Sequence, residues 1–536
     1  MSAWFASAVD CPSRFPQARR PLMPTLVALA VLLLVGEART ADWPQWGGTD
    51  DKNMAADEKP MPASFVPGKK DPRSGTVDVT TATNVKWARK VCRSTYSSPV
   101  IAAGKVFLCG SDDPGGIIAC LDEQSGAILW QWRGGPAAHG FGICSTPVVK
   151  EDRLYVVNQG CVVMCLDVHG QPNDSGGLEP RVLWTFDMKA TFKTEPADVH
   201  CGSCVIDGPL LYVPTSNGID PLGERQHRMF VYTTEPGSKG GRIIVDDPAV
   251  YQTVSPDCPN VVVLDKETGR LVATDDTSIA ENLLKGQWSS LALGTVGDRR
   301  LVFYGGGDGR CYAFEPPPIT GGQPGKMKTV WSFDCNPAEY KVFGGLPLIV
   351  HYYRGDTRWG GTLNENDGTF VGMSEIIGTP VLHKNRIYVA IGRDSSMGRG
   401  RGALQCIDAT GSGDITPSGR IWTYKDLDRT SSTVSIADGL VYVADVAGRL
   451  HCVDAETGEG YWIHETNSRH LLGSTLVADG KVYMPTQRGL FVLATGKQEQ
   501  LLSRINVGSP LYSAPAAANG TLYLASSKGW IWAVRN

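Results

Sequence analysis

Leu450-His451-Cys452-Val453-Asp454, followed by Thr457-Gly458 and Tyr461-Trp462, is one copy of the phrase that decides the fold. Another copy reads Ile118-Ala119-Cys120-Leu121-Asp122, then Ser125-Gly126 and Leu129-Trp130. A repeat of roughly 40 residues made of short strands is typical of a β-propeller blade. The sequence therefore predicts an all-β propeller.

Eight units follow one another along the chain. Each inner strand begins at a short polar or small-residue signal, at Ser98-Pro99, Ser145-Thr146-Pro147, Ser203-Cys204, Ser289-Ser290, Thr379-Pro380, Ser432-Thr433, Ser474-Thr475 and Ala514-Pro515. A second strand of alternating β-branched and aromatic residues comes next in every unit. We predict an eight-bladed β-propeller with four-stranded antiparallel blades.

The two ends of the repeat array complement each other. The last unit stops at Trp530-Ile531-Trp532-Ala533-Val534 and lacks a strand that carries the outer tryptophan. An isolated strand of that type, Val85-Lys86-Trp87, precedes the first unit. We expect this N-terminal strand to complete the last blade and close the ring, which leaves no open sheet edge around the circle.

The N-terminus has the features of a secretory signal. Arg14, Arg19 and Arg20 precede an apolar run over 26–35, with small residues before a cleavage site after Ala38. We predict a signal peptide over 1–38, an N-terminal extension over 39–84 and the propeller over 85–536. A retained anchor is the alternative, and no cysteine follows the run as lipid anchoring requires. The prediction is a periplasmic or secreted protein with no integral membrane domain after cleavage.

Composition limits the classes of partner and the possible states of the cysteines. The net charge of −4, with acids and bases interspersed, gives no basic field for nucleic acid. Of 14 cysteines, one lies before the predicted cleavage site, so the mature chain carries an odd number. His200-Cys201-Gly202-Ser203-Cys204 has C-x-x-C spacing, which suits a functional thiol pair, a structural disulfide involving one member, or unpaired packing residues. The recurring aspartates, Asp122 and Asp454 among them, are interpreted as turn residues.

Geometry gives the strongest argument for a site. Residues just before each inner strand converge on the propeller axis, so we expect a shared funnel lined by Tyr96, His139, Cys144, His200, Trp288, Arg429, His470 and Tyr512. Aromatic, imidazole and guanidinium groups suit a planar or anionic ligand. We assign Tyr96, His200, Trp288, Arg429, His470 and Tyr512 as candidate cofactor-binding residues; a solvated channel mouth is the alternative. The sequence indicates no catalytic residue and no metal site.

Two insertions interrupt the regular spacing, over 218–259 and 336–377. Long loops in a tight repeat are commonly lids or binding loops. We expect these two to gate any ligand. Their acidic residues, Glu339 and Asp356 among them, allow a third interpretation, an enzyme of another class acting on sugars.

The pattern Gly-x-Val-Tyr-Val, then Ala/Cys-Leu-Asp-Ala-x-Thr-Gly-x-x-x-Trp, resembles the repeat of pyrroloquinoline-quinone (PQQ) propellers of the quinoprotein alcohol dehydrogenase-like group, over roughly 43–536. Trp43-Pro44-Gln45-Trp46-Gly47-Gly48 and Gly286-Gln287-Trp288-Ser289-Ser290 look like segments of secreted bacterial members of that group. The resemblance implies PQQ with calcium in the funnel near Trp288 and Arg429. Quinoprotein dehydrogenases of this fold carry a disulfide between adjacent cysteines, and this sequence has no Cys-Cys pair. The same repeat also builds a non-enzymatic scaffold lipoprotein.

The sequence favours a secreted binding or scaffold module that engages protein or polysaccharide through its loop face. The alternative is a PQQ-dependent oxidoreductase, similar to alcohol or sugar dehydrogenases, with the quinone in the central funnel.

Overall fold

Eight four-stranded antiparallel sheets follow one another in the computed structural model, as the sequence predicts. The structure describes residues 41–71, 76–113, 115–136, 140–218, 255–319, 322–343, 346–347, 362–363, 370–394, 399–468 and 472–536. The predicted signal peptide, 1–38, lies outside these ranges, as does most of each predicted insertion. Within the described ranges, no helix has the length and apolar character needed to cross a membrane.

The first four blades each run from an inner strand near the axis to an outer strand. Their strands are Val100–Ala102, Lys105–Ser111, Gly115–Asp122 and Ile128–Pro136 in blade 1; Val148–Lys150, Arg153–Val157, Val162–Pro172 and Leu178–Asp187 in blade 2; Val205–Asp207, Leu210–Pro214, Val261–Asp265 and Leu271–Thr274 in blade 3; Leu291–Val296, Arg299–Gly305, Arg310–Glu315 and Lys328–Asp334 in blade 4.

The last four blades repeat the pattern. Their strands are Val381–His383, Arg386–Ile391, Ala403–Asp408 and Arg420–Tyr424 in blade 5; Ser435–Ala437, Leu440–Ala444, Arg449–Asp454 and Gly460–Glu465 in blade 6; Leu476–Ala478, Lys481–Thr486, Gly489–Ala494 and Leu501–Ile505 in blade 7; Ala516–Ala518, Thr521–Ala525, Trp530–Val534 and Val85–Lys90 in blade 8.

Short elements lie outside this pattern. Three two-residue strands extend the edges of blades 7, 3 and 4, at Ala55–Ala56, Gly325–Lys326 and Gly413–Asp414. Three small hairpins pair Lys69–Lys70 with Val77–Asp78, Val342–Phe343 with Leu346–Pro347, and Thr362–Leu363 with Phe370–Val371. The described helices are one α-turn, Met188–Phe192, and the 3-10 turns Val79–Thr81, Ile279–Asn282 and Ala338–Lys341.

Blade 8 is assembled from both ends of the repeat array. Val85–Lys90 pairs antiparallel with Trp530–Val534, and Ala88 lies opposite Trp532. Trp87 is buried in the core that blade 8 shares with blades 7 and 1. The chain runs directly from blade 7 into blade 8. Within blade 8, the ring is closed where Val85–Lys90, from the start of the repeat array, pairs with Trp530–Val534 from its end.

The repeated phrase explains how blades lock together. In six blades the outer strand carries one tryptophan whose indole N–H donates to a backbone carbonyl just after the repeat aspartate, or its equivalent, of the next blade. The pairs are Trp87–Glu123, Trp130–Val168, Trp184–Lys266, Trp331–Ala409, Trp422–Ala455 and Trp462–Gly496. The aspartate itself caps its turn: the Asp454 carboxylate accepts the Thr457 N–H at 3.0 Å. One short motif thus shapes a turn and docks the neighbouring blade.

The N-terminal segment, residues 41–71, follows the inner strands around the axis at the end where each inner strand turns back. Backbone hydrogen bonds or strand pairing connect it to blades 1, 2, 4, 5, 6 and 7, through Trp43–Ile101, Pro44–Val149, Asp50–Leu293, Asp51–Leu382, Met54–Val434 and Ala55–Val477. The Glu58 carboxylate accepts the Gly520 N–H of blade 8 at 2.6 Å.

Lys52 shows how deeply this segment is seated. Its side chain is fully buried, and Nζ donates to Gln45 Oε1 at 2.7 Å. Burial lowers the pKa of Lys52 to about 8. The segment therefore belongs to the packed body of the propeller.

Candidate functional site

A series of hydroxyl groups, here called the hydroxyl ring, fixes the blades against one another near the axis. In six places the backbone N–H that opens one inner strand donates to the hydroxyl at the same position in the next blade, at 2.9–3.1 Å: Ser98 to Thr146, Thr146 to Ser203, Ser203 to Ser290, Thr379 to Thr433, Thr433 to Ser474, and Ala514 to Ser98. These bonds set a common register for the inner strands.

Two residues before each of these positions, one side chain per blade faces the axis. Side chains two apart in an extended chain point to the same side. These eight residues, here called the cavity ring, are Tyr96, Cys144, Cys201, Trp288, Ile377, Ser431, Leu472 and Tyr512, and all of them line an axial cavity of about 480 Å³. That volume is in the range of small-molecule sites.

One side of the cavity is aromatic. Tyr96 and Tyr512 come from adjacent blades 1 and 8 and stack with ring centroids 5.8 Å apart and planes 5° from parallel. Phe141 meets Tyr96 edge-on at 5.6 Å. Burial raises the pKa of Tyr96, so its hydroxyl stays neutral at physiological pH.

The opposite side carries one ammonium group and two carboxylates, which form ion pairs with one another. Lys285 Nζ lies 2.9 Å from both Asp198 Oδ2 and Asp394 Oδ2, and its side chain is 2% exposed. The same ammonium lies 5.2 Å from the centre of the Trp288 ring, within cation–π distance. Two carboxylates against one ammonium leave this wall with a formal charge of −1.

The N-terminal segment supplies the remaining aromatic surface. Trp46 lines the cavity, and its indole N–H donates to Thr379 Oγ1 at 3.0 Å. Because the segment lies at the end where the inner strands turn back, Trp46 forms the floor of the cavity.

The structure places three of the predicted cofactor-binding residues together at the cavity. Tyr96, Trp288 and Tyr512 all line it, and so does Cys144, which we also expected in the funnel. His470 and His139 lie outside the described residues.

Two predicted residues point elsewhere. His200 precedes the cavity residue Cys201 by one position, so its side chain turns into the blade, where Nε2 contacts the Pro214 carbonyl at 2.8 Å. Arg429 lies two residues before Ser431 and is fully buried behind the cavity wall, its backbone bonded to Gly400 and Val446. Neither is among the cavity-lining residues, which corrects their assignment to the funnel surface.

The C-x-x-C motif separates in space. Cys201 faces the cavity, whereas Cys204 is buried in a core cluster with Leu211 and Val213. Both are thiols in the structure. Their divergence disfavours a functional pair formed by these two residues.

Most of the two insertions that we expected to gate a ligand lies outside the described residues. Asp356 lies outside the described residues, and Glu339 forms an exposed ion pair with Lys425. Nothing in the described part of the second insertion brings Glu339 to the cavity lining.

The sequence reasoning missed several cavity residues, among them Trp46, Asp198, Lys285 and Asp394. Trp46 was visible as part of Trp43-Pro44-Gln45-Trp46, but nothing local shows that a segment before the repeats returns to the axis. Asp198, Lys285 and Asp394 lie in loops of the consecutive blades 3, 4 and 5, and only the packing of neighbouring blades brings them together.

The described lining does not fit PQQ with calcium. PQQ carries three carboxylates, and the only charged side chains among the described lining residues are Lys285, Asp198 and Asp394, which sum to −1. Across the described ranges, no group of three or more His, Cys, Asp or Glu side chains is arranged to hold a metal ion. We derive no reaction through a quinone.

Comparison with known proteins supports the fold. A europium-containing methanol dehydrogenase superimposes with a TM-score of 0.53 at 12% identity, over 91% of this chain and 89% of that chain. A family model described as outer membrane protein assembly factor BamB matches residues 348–464, which contain blades 5 and 6. The chain has the fold of a PQQ-type propeller.

Other PQQ-type propellers are similar at lower scores. BamB from Moraxella catarrhalis matches at 15% identity with a TM-score of 0.49, over 84% of this chain and 97% of that chain. Quinohemoprotein alcohol dehydrogenase from Comamonas testosteroni matches at 13% identity with a TM-score of 0.45, over 92% of this chain and 80% of that chain. No curated protein matches the sequence.

Proposed function

We propose that this propeller is a binding module that takes the end of a neutral polysaccharide or oligosaccharide into its axial cavity. The observation that carries the proposal is the lining itself, in which aromatic faces stand opposite an ion-paired, hydroxyl-rich wall. Sugar rings offer apolar C–H faces to aromatic side chains and hydroxyls to carboxylates and alcohols. Both types of partner converge here.

The shape of the site supports a sugar over a protein partner. A concave cavity of about 480 Å³ suits a small molecule or a chain end. A specific protein interface ordinarily buries roughly 800 Å² on each partner. The sequence analysis expected either a protein or a polysaccharide as the partner, and the geometry of the cavity favours a polysaccharide.

The charge of the site supports a neutral ligand. Lys285 is already engaged by Asp198 and Asp394, so an anionic ligand would have to displace one of two close carboxylates. A neutral hydroxylated ligand can accept from the ammonium and donate to the carboxylates without breaking the cluster. Given the signal peptide predicted over 1–38, we propose that the protein acts in the periplasm or outside the cell.

The test is a glycan array with the full-length mature protein, followed by calorimetric titration with the oligosaccharides that score. Trp288→Ala and Tyr512→Ala each remove one aromatic face, and we expect at least tenfold weaker binding, which is about 1.4 kcal/mol. Trp132→Ala is the matched control, because Trp132 is a tryptophan of the outer strand of blade 1 and does not line the cavity.

The competing outcome is titrated in parallel. Saturable binding of PQQ with calcium, lost in Trp288→Ala, together with no glycan binding, would replace the proposal by the oxidoreductase interpretation. Glycan binding that survives both cavity variants would move the site elsewhere on the propeller.

A further inference from the structure

Cys144 and Cys201 occupy the same position in adjacent blades 2 and 3. The backbones that carry them run side by side: Ser145 Oγ donates to the Gly202 carbonyl at 3.0 Å, and the Thr146 N–H donates to Ser203 Oγ at 3.1 Å. Each of these contacts joins residues 57 apart, and Cys144 and Cys201 continue the same step. The register therefore sets the two cysteines opposite each other.

The two thiols meet. The side chains of Cys144 and Cys201 are close enough to interact, and both residues line the cavity. Cys144 Sγ also lies 3.9 Å from the Phe141 carbonyl, which limits its movement. Cys201 is partly exposed, so a reagent that enters the cavity reaches the pair.

Stacking of the neighbouring cavity-ring pair shows that side chains at this level touch across the blade boundary. Tyr96 and Tyr512 are the equivalent residues of blades 1 and 8, and their rings are in contact. A disulfide requires two cysteines whose backbones run close together, and the strands that carry Cys144 and Cys201 are hydrogen-bonded to each other one and two residues further on.

We propose that Cys144 and Cys201 form a reversible interblade disulfide in the wall of the cavity. The oxidant is a disulfide-bearing molecule, either a small-molecule disulfide or a thiol–disulfide oxidoreductase. One cysteine thiolate attacks the oxidant disulfide and releases one thiol, leaving a mixed disulfide. The second thiolate attacks the protein sulfur of that mixed disulfide and releases the second thiol. The protein gives up two electrons and two protons, and one S–S bond of the oxidant is exchanged for the Cys144–Cys201 bond.

The surroundings set the rate of this exchange. The neighbouring Cys144 thiol, burial, and the carboxylates of Asp394 and Asp198 raise the pKa of Cys201 well above its ordinary value. Lys285 faces the same carboxylates and offsets part of their charge. Because the thiolate is the attacking species, we expect disulfide formation to be slow at neutral pH and faster as the pH rises.

The bond has a direct consequence for the cavity. It would replace two thiols by one covalent bridge between blades 2 and 3, next to Trp288 in the cavity ring. The proposal does not depend on which ligand the cavity takes.

Peptide mapping of the whole protein tests the proposal. The protein is incubated at pH 8 with oxidised glutathione or with dithiothreitol, then denatured and alkylated with iodoacetamide. We expect the oxidised sample to yield the tryptic peptide that ends at Lys150 joined to the one that begins at Thr194, and dithiothreitol to separate them. Both thiols remaining alkylatable after oxidation would overturn the proposal.

Three variants sharpen the assignment. Cys144→Ser and Cys201→Ser should each abolish the joined peptides and leave the surviving cysteine as a glutathione mixed disulfide. Cys204 lies in the same tryptic peptide as Cys201, so Cys204→Ala is the matched control and should retain the cross-link. Loss of the cross-link in Cys204→Ala, or an internal Cys201–Cys204 bond in the wild type, would contradict the proposal. The wild-type mapping stands alone if a variant fails to fold.

Discussion

His200 is a buried histidine whose protonation differs between the folded and the unfolded protein. Nε2 donates to the Pro214 carbonyl, while Nδ1 has no hydrogen-bond partner among the described residues. Burial lowers the pKa of His200 from 6.5 to about 4. The imidazole is therefore neutral in the folded protein across the physiological range.

His200→Gln should make the protein less sensitive to acid. The unfolded chain takes up a proton at this site below pH 6.5 and the folded protein only near pH 4, so the stability that His200 contributes is complete above pH 6.5 and is lost as the pH falls to 4. The lost stability amounts to about 3 kcal/mol. Urea unfolding at pH 7 and pH 4 measures it. The difference between the two pH values should shrink by that amount in His200→Gln, and an unchanged difference would show that His200 is not the group responsible.

At this scale the sequence located the cavity to within one or two residues. Tyr96, Trp288 and Tyr512 follow from counting back from each inner strand. His200 shows the limit of that counting, because a single residue reverses the direction of a side chain in an extended chain. Arg429 lies two residues before the cavity residue Ser431 and is buried outside the lining. The hydroxyl ring, which sets the true register, depends on contacts between blades that no single repeat reveals.

Between elements, the glycine of the repeated phrase lies against the tryptophan of the preceding blade. A Cβ on Gly126, Gly269 or Gly458 would come within 2.5–2.7 Å of the ring of Trp87, Trp184 or Trp422 respectively. Each of these glycines also has a φ near +70°. The phrase requires glycine for both the turn and the close approach of the indole.

Gly458→Ala and Gly439→Ala separate these two requirements within blade 6. Their φ values are +76° and +75°, but nothing lies within 4 Å of a Cβ on Gly439. We expect Gly439→Ala to cost about 1–2 kcal/mol from backbone conformation. Gly458→Ala should cost a further 1–3 kcal/mol, roughly, because its methyl group meets the Trp422 ring. Denaturant unfolding measures the free energy of unfolding of both variants. Equal decreases would show that the contact with Trp422 does not contribute to the cost of Gly458→Ala.

The strands themselves were largely predictable. Alternating residues such as Val441-Tyr442-Val443 and the Asp-Gly pairs at Asp438 and Asp479 mark hairpins in the sequence, and the structure has them there. The N-terminal segment carried no such signal, since its contacts are isolated backbone hydrogen bonds and one short strand pairing with strands elsewhere in the chain.

Across the whole molecule, the strand Val85–Lys90 is the only part of blade 8 that does not follow its neighbour in the chain. We expect a chain that begins at Val91 to melt well below one that begins at Ala41, because loss of the buried Trp87 alone costs about 3–5 kcal/mol. Calorimetry of the two chains checks this.

A peptide of residues 76–90 tests whether the strand is responsible. Added to the chain that begins at Val91, it should raise Tm in a concentration-dependent way, because it binds the folded state. The same peptide with Trp87→Ala is the control. A chain from Val91 that melts with the one from Ala41 would show that closure contributes little.

The position of Trp46 in the axial cavity determines whether a bound polymer chain could pass through the propeller. A propeller open at both ends of its axis could thread a chain through itself and slide along it. If the cavity takes a polysaccharide as proposed, the floor formed by Trp46 admits a chain terminus and prevents the chain from passing through. The number of binding sites on a polysaccharide would then depend on the number of its chain ends and not on chain length. Cutting the polysaccharide into shorter pieces would increase the number of ends that the protein can bind.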